Sequence, residues 1–131
     1  MQPMTRQQGL AKLNEIAEAL EGRDGAAARA GLAALLDRVL RETREYLPWS
    51  ARRAAKRQGL PYQNRLLQDE LLDLCARYGE GRLALSYVVQ ELRDKGWTMP
   101  SRWCDQVDLF EDHGFKLVAG ERKHAHYLAL A

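Results

Sequence analysis

The run RLALSYVVQELRDKG (82–96), WTMP (97–100), SRWCDQVDLFEDHG (101–114) and FKLVA (115–119) changes its apolar period once, and that change decides the fold. Leu85, Val88, Val89 and Leu92 recur at helical spacing, and Gly96 follows as an αL stop. Beyond the WTMP turn, Ser101 is placed to cap a second helix over 101–113. Trp103, Val107 and Phe110 form its inward stripe, and Gly114 ends it. After Gly114 the period falls to two: Phe115, Leu117 and Ala119 alternate with Lys116 and Val118. GERK (120–123) reverses the chain, and His126, Leu128 and Leu130 alternate back, which predicts a β-hairpin.

Working outward, residues 64–78 predict a leucine-rich helix burying Leu66, Leu67, Leu71, Leu74, Cys75 and Tyr78. Taken with 82–95 and 101–113 it makes three helices followed by a hairpin with basic residues near its tip. That order resembles a winged helix-turn-helix over residues 64–130. The resemblance implies DNA binding, with the third helix reading bases and the wing lying along the backbone.

Nearer the N-terminus, LPWS (47–50) breaks the chain and Ser50 is placed to cap a short helix to Gln58, ended by Gly59-Leu60-Pro61. Net charge is only +2, yet residues 48–66 hold Arg52, Arg53, Lys56, Arg57 and Arg65 and no carboxylate. With Arg52 and Lys56 four apart, and Arg53 and Arg57 likewise, all four are expected on one side. Ala51, Ala54 and Ala55 take the other, where small side chains admit a neighbouring helix. Clustered cations are relieved by anions, and nucleic-acid phosphates are the usual ones. The bland reading is a solvated face paired with carboxylates such as Glu42, Glu45, Asp69 or Glu70.

Two further amphipathic helices are expected before that. Thr5 and Gln8 fit a capping box opening a helix over 5–21, with Leu10, Leu13, Ile16, Ala17 and Leu20 on one face. EGRDG (21–25) breaks it, and residues 26–47 continue with Leu32, Leu35, Leu36, Val39, Leu40 and Leu47 inward. A short link between such helices predicts an antiparallel α-hairpin, a plausible homodimerisation arm. The whole is mostly α: a hairpin over 1–47, then the basic helix and winged-helix-like unit over 48–131.

Composition frames the function. Hydrophobic residues make up 46% and charged residues 29%, as in ordinary globular chains. No apolar run approaches a membrane span, and the polar start MQPMTRQQ argues against a signal peptide, so a cytoplasmic protein without membrane contact is expected. Cys75 and Cys104 sit in apolar helical stretches and read as reduced core thiols. Catalytic motifs such as GxSxG, Walker A, GxGxxG, HExxH and CxxC are absent from the sequence, so neither enzyme nor cofactor is expected. His124 and His126 share a strand face, but the paired Cys/His spacing of a structural zinc site is missing.

The expected function is non-catalytic binding of duplex DNA, as a small regulator or accessory protein of a replicon or mobile element. Arg52, Arg53, Lys56 and Arg57 would meet phosphates, with Arg65 just beyond. On the third helix Arg102 and Gln106 are types that read base edges. Arg122 and Lys123 would clamp from the wing. Against groove insertion stand Asp105, Asp108 and Asp112 on the same outer face, which phosphates repel. The alternative is therefore a protein-binding module or inhibitor, docking a partner protein or nucleoprotein through the acidic helix or the 52–57 face.

Overall fold

The computed structural model describes Thr5, Gln7, Gln8, Ala11, residues 26–120 and residues 125–131, with side chains of the first long helix described from Ala33. Five helices are defined there: α1 (Ala26–Glu42), α2 (Trp49–Arg57), α3 (Arg65–Tyr78), α4 (Leu85–Asp94) and α5 (Trp103–Asp112). An antiparallel pair follows, β1 (Phe115–Ala119) and β2 (His126–Leu130). The architecture is mostly helical with a C-terminal hairpin. The chain divides into two compact units, Met1–Leu66 and Leu67–Ala131, so the boundary lies inside α3 and the basic helix falls in the first unit.

In the first unit the capping box forms as the sequence requires. The Thr5 amide donates to Gln8 Oε1 (3.0 Å) and the Gln8 amide to Thr5 Oγ1 (3.2 Å). Its expected helical hairpin, and with it the dimerisation arm, lies largely outside the described residues. α1 stops at Glu42, five residues short of the expected end. There the Thr43 hydroxyl donates to Val39 O (2.7 Å), a side-chain bond that competes with helix continuation. The apolar cluster joins Leu36, Val39, Leu40 and Leu47 to Ala51, Ala55 and Leu60. The alanine face of α2 does admit its neighbours closely.

The link between α1 and α2 is fixed from below by Asn64, which is fully buried. Its amide nitrogen donates to Thr43 O (2.8 Å) and Glu45 O (2.5 Å). Buried backbone carbonyls need such donors. α2 begins after Pro48 and has no side-chain cap; Ser50 sits in its first turn instead.

In the second unit α3 buries Leu67, Leu71, Leu74 and Cys75, while Tyr78 is exposed against expectation. α4 buries Leu85, Val88, Val89 and Leu92, and Gly96 takes φ +101° as its stop. The WTMP turn is not a surface loop. Trp97 and Met99 are buried, and the Trp97 indole N–H bonds the buried Glu70 carboxylate. That anchor sets where α5 begins.

α5 packs on β1, and α4 adjoins β2. The hairpin register pairs Phe115 with Leu130 and Leu117 with Leu128. Residues 81–84 run beside β2: the Gly81 amide donates to Leu128 O (2.7 Å), the Leu128 amide to Leu83 O (3.0 Å), and Ala84 bridges Tyr127. The hairpin is thus laced to the segment that leads into α4.

Candidate nucleic-acid interface

Helical geometry separates the basic residues of α2 by about 100° per position, so their fate depends on where the apolar stripe falls. It falls on Ala51 and Ala55, and the adjoining row takes Arg52 in with it. Arg52 is buried and its Nη1 donates to Leu47 O at 2.6 Å, with the guanidinium 6.0 Å from the Tyr46 ring centroid. The expected four-cation face is therefore a three-cation face. Arg52 holds the break that starts α2 and does not present itself to a ligand.

Arg53, Lys56 and Arg57 remain exposed, around a cleft of about 620 Å³ also lined by Trp49 and Ser50. Arg53 lies 5.4 Å from the centroid of Trp49, which is 55% exposed, and Lys56 lies 5.7 Å from that of Tyr62. Cation–π contacts of this kind hold long side chains in place. Among the described residues the cleft lining contains no carboxylate. Arg65 is exposed too, but its charge is shared with Asp37 at 3.6 Å, which also binds Arg41 at 2.9 Å.

On α5 the expected inward stripe is rotated. Leu109 and Phe110 are the buried positions, Val107 is half-buried, and Trp103 is 53% exposed. The rotation exposes Cys104, expected in the core, and buries His113, expected outside. His113 Nδ1 lies 2.7 Å from Leu109 O, and its carbonyl accepts a bond from Gln68 (3.2 Å). Burial of Trp97 and Met99 fixes the entry of the helix and leaves Trp103 at its outer edge. There the indole meets His126 of β2, with centroids 5.2 Å apart.

Of the two base-reading candidates, Arg102 is exposed at the N-cap position, with no capping bond from its side chain; Ser101 does not cap either. Gln106 is half-buried and its amide nitrogen donates to Pro100 O (2.7 Å), so it braces the turn before α5. Arg122 and Lys123, expected on a wing, and His124 lie outside the described residues. Asp105, Asp108 and Asp112, expected on the outer face, are half-buried, Glu111 is exposed, and no basic residue occupies the last turn of α5.

Sequence reasoning missed the aromatic partners. Trp49 four residues before the first exposed arginine, and Tyr62 six beyond Lys56, were the available signals, since both flank the basic run. Cys75 is buried and Cys104 exposed; burial, with Glu80 nearby, pushes the Cys75 thiol above the usual range. No helix among the described residues is long and apolar enough to cross a membrane. Compared with protein-family models, curated proteins and solved structures, the chain matches none.

Proposed function

We propose that this protein binds duplex nucleic acid without catalysing a reaction, as a small regulator or accessory protein of a replicon or mobile element. The observation that supports this reading is the α2 surface: Arg53, Lys56 and Arg57 around an exposed Trp49, in a cleft that no carboxylate of the described residues lines. Ordered cations facing solvent release counterions when phosphates replace them. The second unit is read as winged-helix-like, on the succession of three helices and a hairpin whose second strand bridges the segment before α4. In that reading Arg102, at the N-cap of α5, is the side chain suited to a base edge, Gln106 being committed to Pro100.

A second reading has one observation of its own. The carboxylates Asp105, Asp108, Glu111 and Asp112 gather on α5 with no basic residue in its last turn. A basic protein surface suits that helix better than a phosphate backbone does, and docking there would make the second unit a protein-binding module.

Fluorescence anisotropy of a labelled random duplex over a salt series tests the first reading. Each phosphate contact contributes about 0.9 to the log–log slope. Neutralising Arg53, Lys56 and Arg57 to Gln is expected to flatten the slope by about 2.7. No binding at low salt would overturn the duplex reading, and charge reversal at Asp105 and Asp108 would then be tried against a protein partner.

A further inference from the structure

The second unit contains a groove of about 730 Å³ between α4, the start of α5 and the start of β2. Its size is that of ordinary small-ligand sites. Leu85 and Val89, both buried, give it an apolar floor. Trp103 stands at its rim, with more than half its surface open and its ring held by His126 at 5.2 Å and an interplanar angle of 57°. A flat, preoriented indole beside an apolar floor is a stacking platform.

The polar part of the lining narrows the ligand further. Arg93, on the same face of α4 as Leu85 and Val89, supplies a cation, and among the described residues the lining contains no carboxylate. Gln90 and Gln106 each commit an amide N–H elsewhere, Gln90 to Asp94 Oδ1 (2.9 Å) and Gln106 to Pro100 O. Each amide oxygen is left as an acceptor for ring or exocyclic N–H groups. A planar heteroaromatic ring carrying N–H donors and one anionic substituent satisfies all three features.

We propose that this groove seats a nucleotide, its base stacked on Trp103 and its phosphate on Arg93. The same chemistry reaches the groove from a free mononucleotide or from an unpaired base within a strand. The inference rests on the groove's own lining and not on the basic surface of α2, so it can stand if the duplex reading falls.

Nuclear magnetic resonance titration of the full chain separates the sources. One arm uses adenosine 5′-monophosphate, the other a four-nucleotide oligothymidylate. The expected result is saturable movement of the Trp103 indole N–H and of the backbone amides of Ser86, Gln90 and Arg93. Trp103→Ala is expected to weaken binding about tenfold, the scale of one lost stack. Arg93→Gln should weaken the monophosphate but leave adenosine unaffected, a readout that a merely unfolded variant cannot give. Response to the mononucleotide alone assigns the seat to a free ligand, and response to the oligonucleotide alone assigns it to a strand. Millimolar amounts of both leaving the groove resonances unmoved, or binding unchanged by Trp103→Ala, would overturn the proposal. The duplex salt series reads the α2 surface separately, so the two failures are distinguishable.

Discussion

Substituting Arg52 by Gln separates what the sequence groups together. The guanidinium is 4% exposed and donates to Leu47 O at 2.6 Å. A hydrogen bond from a charged donor contributes about 1.5–3 kcal/mol. Gln is also shorter, and each buried methylene lost costs about 0.8 kcal/mol. Together the expected loss is about 2–4 kcal/mol, which at a slope of about 2 kcal/mol/M moves a urea midpoint by about 1–2 M. Arg53→Gln removes the same charge from an exposed position and gives up a cation–π contact worth about 0.5–1 kcal/mol. Urea unfolding by circular dichroism and the duplex salt series are run on both variants. Arg52→Gln should lose stability and keep its salt slope, whereas Arg53→Gln should keep most of its stability and lose about 0.9 of slope. The placement of Arg52 is refuted if it costs under about 0.5 kcal/mol, the usual range of surface changes, while flattening the slope as Arg53→Gln does.

Three other outcomes are expected. Asn64→Ala withdraws the donor to Thr43 O and Glu45 O and should cost about 2–4 kcal/mol in urea unfolding, with Asn64→Asp no milder because a carboxylate cannot donate. A Cβ on Gly120 would stand 2.1 Å from Tyr127 Cε2, so Gly120→Ala should destabilise the hairpin by about 1–3 kcal/mol, and a Tyr127→Ala background should remove most of that penalty in a double-mutant cycle. With an aromatic disulfide reagent Cys104 should react promptly and Cys75 only on unfolding. Because burial raises the Cys75 pKa, the folded chain holds its proton more tightly; the resulting stability is present below the ordinary thiol pKa and lost as pH rises above it, which thermal melts across that range would show.

Where one period dominated, the residues were sufficient. The α4 stripe, its glycine stop and the change to two-residue alternation after Gly114 all lie where the sequence puts them, because each depends on neighbours within a turn or two. The phase of α5 could not be read that way. Trp103 and Phe110 are both large and apolar seven positions apart, and local pattern gives no reason to expose one of them. The decision comes from Trp97, which is tied to Glu70 27 positions away and fixes the angle at which α5 starts. Arg52 failed for a related reason. A periodic basic run looks uniform on a helical wheel, but the Leu47 carbonyl at the preceding break offered one of its members an internal acceptor. The candidate interface was therefore legible as a charged segment and illegible as a set of aromatic–cation pairs, since these depend on side-chain packing around it.

The lacing of residues 81–84 to β2 also has a consequence in time. Leu83 bonds Leu128, 45 positions further along the chain. At a synthesis rate of about 5–20 residues per second, the segment leaves the ribosome about 2–9 s before its partner does. Through that interval Leu83 and Leu85 have no strand beside them, and the backbone groups of 81–84 form an open edge able to pair with another nascent chain. The second unit therefore closes only after translation has passed the hairpin, and its yield in a cell should follow the supply of chaperones that shield such edges more closely than its equilibrium stability.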